Sequence, residues 1–210
     1  MKTIITLILC GCFCISAWTQ EQFRVMSSST EFLQQLSVES STLETIQSDF
    51  TQTKYMEMLS EKIVSKGKFY YKKEGKIRMD YSSPIKYLLI INDKKIKIVS
   101  DGKTSIFDTK NNKMMEQMNT LISACMTGNL GKLSSAYTFE YKENATHYWI
   151  QVQPKGSVKS YMKHIDIYLD KKDLSVQRLR LTEASSDYTE YLFSNKQQNV
   201  KIDDAEFRIS

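Results

Sequence analysis

Histidine and cysteine are scarce in this chain: two and four among 210 residues. That leaves too few ligands for a multi-ligand zinc or haem site. Proline and glycine are also few, two and seven. No low-complexity connector can be built from them, and no internal repeat is visible, so one domain is the economical reading of 20–210. No HExxH, CxxC, GxGxxG or P-loop pattern occurs. No block of Lys and Arg dominates any stretch, so the formal charge of +5 does not argue for nucleic acid. After the first fifteen residues there is no apolar run near the ~18 residues that a spanning helix needs.

What is present begins at the N-terminus. Met1-Lys2 supplies a positive charge, Thr3 to Ile15 an apolar run, and Ser16-Ala17-Trp18-Thr19 a small and polar exit. This is the order of a secretory signal peptide, residues 1–19, with the mature chain starting near Gln20. Its removal takes away Cys10, Cys12 and Cys14, and with Lys2 one unit of charge. Cys125 then stands alone, and no internal disulfide is expected. Leu9-Cys10-Gly11-Cys12 loosely resembles a bacterial lipoprotein processing box, in which case Cys12 would carry lipid.

In the mature chain, Ser28-Ser29-Thr30-Glu31 reads as a capping box. Phe32, Leu33, Leu36 and Val38 follow near helical spacing until Ser40-Ser41 interrupts, which predicts a helix of about three turns. From Leu43 the pattern changes to short alternating segments. Strands are expected over Thr45–Met56, Lys62–Tyr71, Lys76–Tyr81, Tyr87–Ile91, Lys95–Val99 and Thr104–Asp108. Five more are expected over Phe139–Lys142, Tyr148–Gln153, His164–Leu169, Val176–Thr182 and Thr189–Phe193. Lys73-Glu74-Gly75, Asn92-Asp93 and Asp101-Gly102 are hairpin turns by composition, so neighbours should pair antiparallel. Between the two groups, Met114, Met115, Met118, Leu121, Ile122, Cys125 and Met126 recur at three- and four-residue steps. That predicts an amphipathic helix ending near Gly128 or Gly131. Ten or more strands with no βαβ rhythm give an α+β chain, mainly β. A sheet so wide must curl to shelter its edges, and the helices are its natural covers.

Signs of catalysis are weak. His147 and His164 lie in strand-like segments without a nucleophile and acid beside them, and read as ordinary strand residues. Asp203-Asp204 reads as solvated charge in a turn, and Cys125 as a buried inert thiol. The methionine-rich helix has two readings: filler between helix and sheet, or a lid adapting to a variable apolar ligand.

The landmarks, taken in order, resemble those of a known family. Asp49-Phe50-Thr51-Gln52 after an N-terminal helix resembles its first strand, and Gly67-Lys68-Phe69-Tyr70-Tyr71-Lys72-Lys73 its second. Ile77 to Pro84 resembles the next strand with its closing proline. Ser100-Asp101-Gly102-Lys103 resembles its turn; Pro154-Lys155 and Phe193 to Phe207 resemble its C-terminal half. The family is that of the periplasmic outer-membrane lipoprotein carriers, LolA-like. The resemblance implies an unclosed antiparallel β-barrel with a helical lid over an apolar cavity. It implies a periplasmic carrier, without enzymatic activity or cofactor, that shields the acyl chains of lipoproteins. The implied partners are those lipoproteins, an inner-membrane export complex and an outer-membrane acceptor, with the carrier monomeric and no nucleic acid involved. Each acyl CH₂ in water costs ~0.8 kcal/mol, so a container is needed. The residues expected to line it are Met114, Met115, Met118, Leu121 and Ile122 on the lid. Phe50, Phe69, Tyr71, Met79, Tyr81 and Ile98 are expected on the sheet; a one-residue slip in register would exchange the faces. Family members carry an Arg before a Pro after the second strand, which helps hold the lid. Here Lys73-Glu74 stands in their place, and a lysine latch lacks the planar fork of arginine. The same fold also suits a membrane-anchored acceptor or an envelope sensor of lipidated molecules.

Overall fold

The computed structural model describes residues 22–108, 120, 123–124, 130–133 and 135–209. The predicted signal peptide and most of the predicted methionine-rich helix, including Cys125, lie outside these residues; Thr120, Ser123 and Ala124 have helical backbone. The strands are β1 (Arg24–Val25), β2 (Thr45–Met56), β3 (Glu61–Lys72), β4 (Lys76–Ser83), β5 (Tyr87–Asn92), β6 (Lys95–Ser100) and β7 (Lys103–Asp108). They continue with β8 (Tyr137–Glu143), β9 (His147–Pro154), β10 (Met162–Asp170), β11 (Val176–Glu183) and β12 (Tyr188–Gln198). Helix α1 spans Thr30–Thr42.

All twelve strands form one antiparallel sheet in the order β1-β8-β9-β10-β11-β12-β2-β3-β4-β5-β6-β7. Two meanders, β2 to β7 and β8 to β12, are joined where β12 pairs with β2. The sheet is an unclosed barrel whose edges are β1 and β7. Short turns keep successive strands adjacent: Asp101 and Gly102 both have positive φ, 50° and 73°, as a two-residue hairpin turn requires. The predicted strand segments all lie within observed strands, most of which run one or two residues longer. β1 was not expected, since two residues carry no periodicity.

The helix start differs from the expected capping box. The N-cap is Ser29, not Ser28, and its side chain makes no capping bond. Ser28 instead lends its Oγ to the amide of Thr30 at 3.4 Å. Nor does Ser40-Ser41 break the helix. Ser40 and Ser41 donate to the carbonyls of Ser37 and Val38, at 3.0 and 2.7 Å, so their hydroxyls are satisfied within the helix. Val38 faces solvent.

Period-two alternation sorts the sheet into two faces. One carries Phe50, Phe69, Ile77, Ile91, Ile150, Val152, Ile165, Ile167 and Leu179, all buried in one core. The other is more polar, with Trp149 and Tyr168 stacked on it beneath Phe23 and a second apolar patch where the C-terminus crosses it. There Phe207, fully buried, packs with Ile90 and Ile202 as a separate small core. Arg78 Nη1 and Asn92 Nδ2 each donate to backbone carbonyls of that segment, Glu206 and Phe207, at 3.0 Å. Asp203-Asp204 is therefore more than solvated charge. Asp203 caps the turn by accepting from Ala205 N at 2.8 Å, and Asp204 pairs with Lys76 and Lys72 at 2.9 and 3.1 Å.

Candidate functional site

The inner face is assembled by register. Phe50 opposes Gly67, Gly67 opposes Tyr81, Phe69 opposes Met79, Tyr71 opposes Ile77, and Leu89 opposes Ile98. Phe50, Phe69, Tyr71, Met79, Tyr81 and Ile98 thus all share this face; the first five are buried and Ile98 packs against them. Edge-to-face ring contacts join Phe50 to Tyr81 at 4.9 Å and Phe69 to Phe193 at 5.3 Å. Tyr81 and Tyr87 stack at 3.9 Å. Met114, Met115, Met118, Leu121 and Ile122 lie outside the described residues.

Aromatic residues not among those expected include Phe32, which packs on this face from α1, and, within it, Tyr87, Tyr137, Phe139, Tyr141, Tyr148, Tyr191 and Phe193. The last two sit in the alternating stretch of β12, and their parity alone could have found them. Gln52 Nε2 donates to Tyr191 Oη at 3.2 Å. Burial pushes the Tyr191 phenol up to about 12, and burial pushes that of Tyr81 far above the tyrosine range. Both phenols stay neutral, which suits an apolar wall.

Two helical pieces cover the inner face. Phe32 of α1 sits over Tyr148 at 4.2 Å and meets Tyr141 edge-on at 6.1 Å; Leu36 is buried one turn on. Ala124 is buried in the same core, and Ser123 hydrogen-bonds the Tyr71 phenol, which also bonds the backbone of Gly75. Lys73 reaches back to the residue that follows α1 and Leu43. Its amide donates to Glu44 O at 2.8 Å and its ammonium pairs with Glu44 Oε1 at 2.6 Å. Both side chains are about half exposed, so the ion pair is worth ~0.2–1 kcal/mol.

Between α1, β2, the β10–β11 turn and β12 there is a cavity of about 50 Å³, room for a few atoms. The two histidines bond to neighbours outside this interior. His147 Nε2 lies 3.0 Å from Gln177 Oε1, and His164 Nε2 lies 3.3 Å from Asp166. Asp166 also accepts from Trp149 Nε1 and Gln151 Nε2. His147 Nδ1 also lies 2.7 Å from the hydroxyl of Thr146, its exposed neighbour in the β8–β9 turn.

Comparison with known proteins bears directly on this architecture. The family model for the outer membrane lipoprotein carrier protein LolA matches residues 41–210. The chain belongs to the LolA family. A curated LolA relative, the outer-membrane lipoprotein carrier protein of Methylococcus capsulatus (strain Bath), is 24% identical over 216 residues, covering 99% of this chain and 91% of the relative. Among solved structures, an uncharacterized conserved protein from Thermus thermophilus shares the fold with a TM-score of 0.52 at 9% identity, over 86% of this chain and 93% of that one. A LolA superfamily protein from Nitrosomonas europaea aligns over 84% of this chain and 97% of its own, with a TM-score of 0.43 at 5% identity. The family model and the Methylococcus relative both bear the name of an outer-membrane lipoprotein carrier.

Proposed function

We propose that this LolA-family protein is a periplasmic carrier, exported by residues 1–19, that shields lipoprotein acyl chains between the inner and outer membranes. It receives cargo from an inner-membrane export complex and yields it to an outer-membrane acceptor, as a monomer, with no chemical step and no cofactor. The observation that supports this reading is the weak hold of α1 on the inner face. Only Phe32 and Leu36 of its thirteen residues are fully buried. Burial of one such side chain contributes ~1.5–3 kcal/mol, so lifting the helix costs about 3–6 kcal/mol. An acyl chain of some sixteen carbons gains ~0.8 kcal/mol per CH₂ on leaving water, on the order of 10 kcal/mol. One chain offsets the opening, and release at an acceptor lets the interior close again.

In this reading Phe50, Phe69, Tyr71, Met79, Tyr81 and Ile98 form the sheet wall. Met114, Met115, Met118, Leu121 and Ile122 supply an adaptable cover, because the unbranched thioether side chains of its three methionines repack around chains of different shape. The test is loading with a diacylated lipopeptide from vesicles, followed by separation of soluble complex. The exported chain should carry the peptide into solution. Met118→Asp should abolish loading while circular dichroism retains the β-sheet signal. Failure of the wild-type chain to solubilise the peptide overturns the carrier reading; unchanged loading by Met118→Asp removes the methionine helix from it.

A further inference from the structure

The small cavity beside α1 has an apolar side and a polar end, and the polar end is built by two local irregularities. The first is a bulge in β12. Ser194 pairs with Asp49 and Gln197 with Gln47, so three steps on β12 match two on β2. Asn195 takes up the extra residue with φ of 52°, and its Nδ2 donates to Asp49 Oδ2 at 2.8 Å. The bulge reverses the parity of the strand. Lys196, which strict alternation would send outward from Phe193, comes to the inner face, where it lines the same cavity as Ser48. The second irregularity is the β10–β11 turn, where Leu174 has φ of 52°. It places Ser175 so that Asp173 Oδ1 accepts from its amide at 2.9 Å and from its hydroxyl at 2.5 Å. Lys196 Nζ donates to the same hydroxyl.

Ser48, Ser175 and Lys196 line the cavity with Leu36, Val176 and Phe193. Ser48 is 3% exposed and its Oγ has no hydrogen-bond partner. A buried hydroxyl left unbonded is costly, and here it lines an open space. The Lys196 ammonium has three donors, of which one goes to Ser175. Burial draws Lys196 below the usual lysine range. Burial works against the charge of Asp173, but its bonds from Ser175 and the nearby Lys196 keep the carboxyl below its ordinary value. Asp170 also acts on Lys196. The positive charge at the polar end is therefore matched already, and a second anion gains little there. What fits is an uncharged acceptor joined to an apolar chain.

We infer that this pocket holds the carbonyl of an acyl ester or amide, with Ser48 and Lys196 as its donors and Leu36, Val176 and Phe193 against the first carbons of the chain. The inference rests on the carrier reading, in which α1 lifts to admit the chain and Leu36 returns over its first carbons. It adds that the protein grips the junction between chain and headgroup, not the hydrocarbon alone.

A pair of ligands that differ at that atom tests it. Monopalmitoylglycerol has the carbonyl; the hexadecyl glycerol ether has the same length and headgroup without it. Titration calorimetry on the purified exported chain should show the ester bound about tenfold more tightly, as a bond to a charged donor in a buried site implies. Lys196→Met and Ser48→Ala should each erase most of that preference while leaving ether binding unchanged. Ser48→Ala removes an unbonded hydroxyl, so its thermal midpoint should not fall, which separates lost recognition from lost fold. Palmitate should bind more weakly than the ester. Equal affinity of the wild-type chain for ester and ether makes the pocket a site for water and overturns the inference with the carrier reading intact. Tighter binding of palmitate than of the ester assigns a carboxylate site and overturns it as well. Binding of neither glycerol lipid overturns the carrier reading itself, and the pocket assignment with it.

Discussion

At Gly67 a β-carbon would stand 2.1 Å from the carbonyl oxygen of Asp80 and 2.8 Å from the ring of Phe50. The ring lies over the glycine because Phe50 and Gly67 are direct partners in β2 and β3. Any side chain there must push apart β3 and β4 or turn Phe50 out of the core. Gly67→Ala should cost about 1–3 kcal/mol, as overpacking of a closed core does. For a chain of this size each kcal/mol lowers the thermal midpoint by about 2–4 °C. A fall of roughly 2–12 °C by circular dichroism is expected; a change under about 1 °C would show that the strands re-space freely. The face that these strand residues share was legible because parity in an alternating strand is a local property. Phe69 and Tyr71, or Met79 and Tyr81, announce a face two residues at a time. Lys196 and Ser48 were not legible. A bulge at Asn195 changes parity without a glycine or proline to mark it, and nothing in the sequence says that a serine hydroxyl will find no partner.

Strands were read more surely than helices, and the reason lies in what each element leans on. β2 and β3 carry twelve residues each in unbroken register, so the alternation repeats often enough to be seen. α1 has two buried residues and an indifferent cap, and its identity comes from the sheet beneath it. That weakness is a functional quantity if α1 must lift. Phe32→Ala removes the ring that sits over Tyr148, and the loss of a buried phenylalanine costs about 3–5 kcal/mol. The variant should melt earlier. Since the same contact holds the interior shut, the binding-competent fraction should rise, and with it the apparent association rate. Stopped-flow mixing with a fluorescent hexadecyl probe checks the sign. Faster association with a lower thermal midpoint supports α1 as the cover; slower association would mean that Phe32 is part of the binding wall.

Across the molecule, ion pairs fasten the places where distant segments of chain meet. Asp49 of β2 accepts from Asn195 of β12 and from Lys68 of β3, at 2.8 and 3.1 Å. Glu143 of β8 takes Lys171 and Arg24, at 2.7 and 3.0 Å, and so holds the short edge strand β1. Asp204 ties the C-terminal segment to Lys76 and Lys72 across the outer face. These partners hold all three carboxyls below their ordinary values: Asn195 then Lys68 for Asp49, Lys171 then Arg24 for Glu143, Lys76 then Lys72 for Asp204. A carboxyl depressed in the folded state takes up protons more readily in the unfolded one. Its contribution is therefore complete above the ordinary carboxylate value, about 4, and is lost as pH falls through the lower folded values. Urea midpoints should stay level from pH 7 to about 5 and fall below about 4. Asp204→Asn should lower the midpoint modestly at neutral pH and flatten part of the acid decline, because the substituted side chain has no proton to gain. The charges are exposed, so 1 M salt should shrink the difference between variant and wild type, the screening length there being only about 3 Å. A variant that matches the wild-type acid decline at every pH would show that Asp204 does not clamp the C-terminal segment, and would leave the buried ring of Phe207 as its anchor.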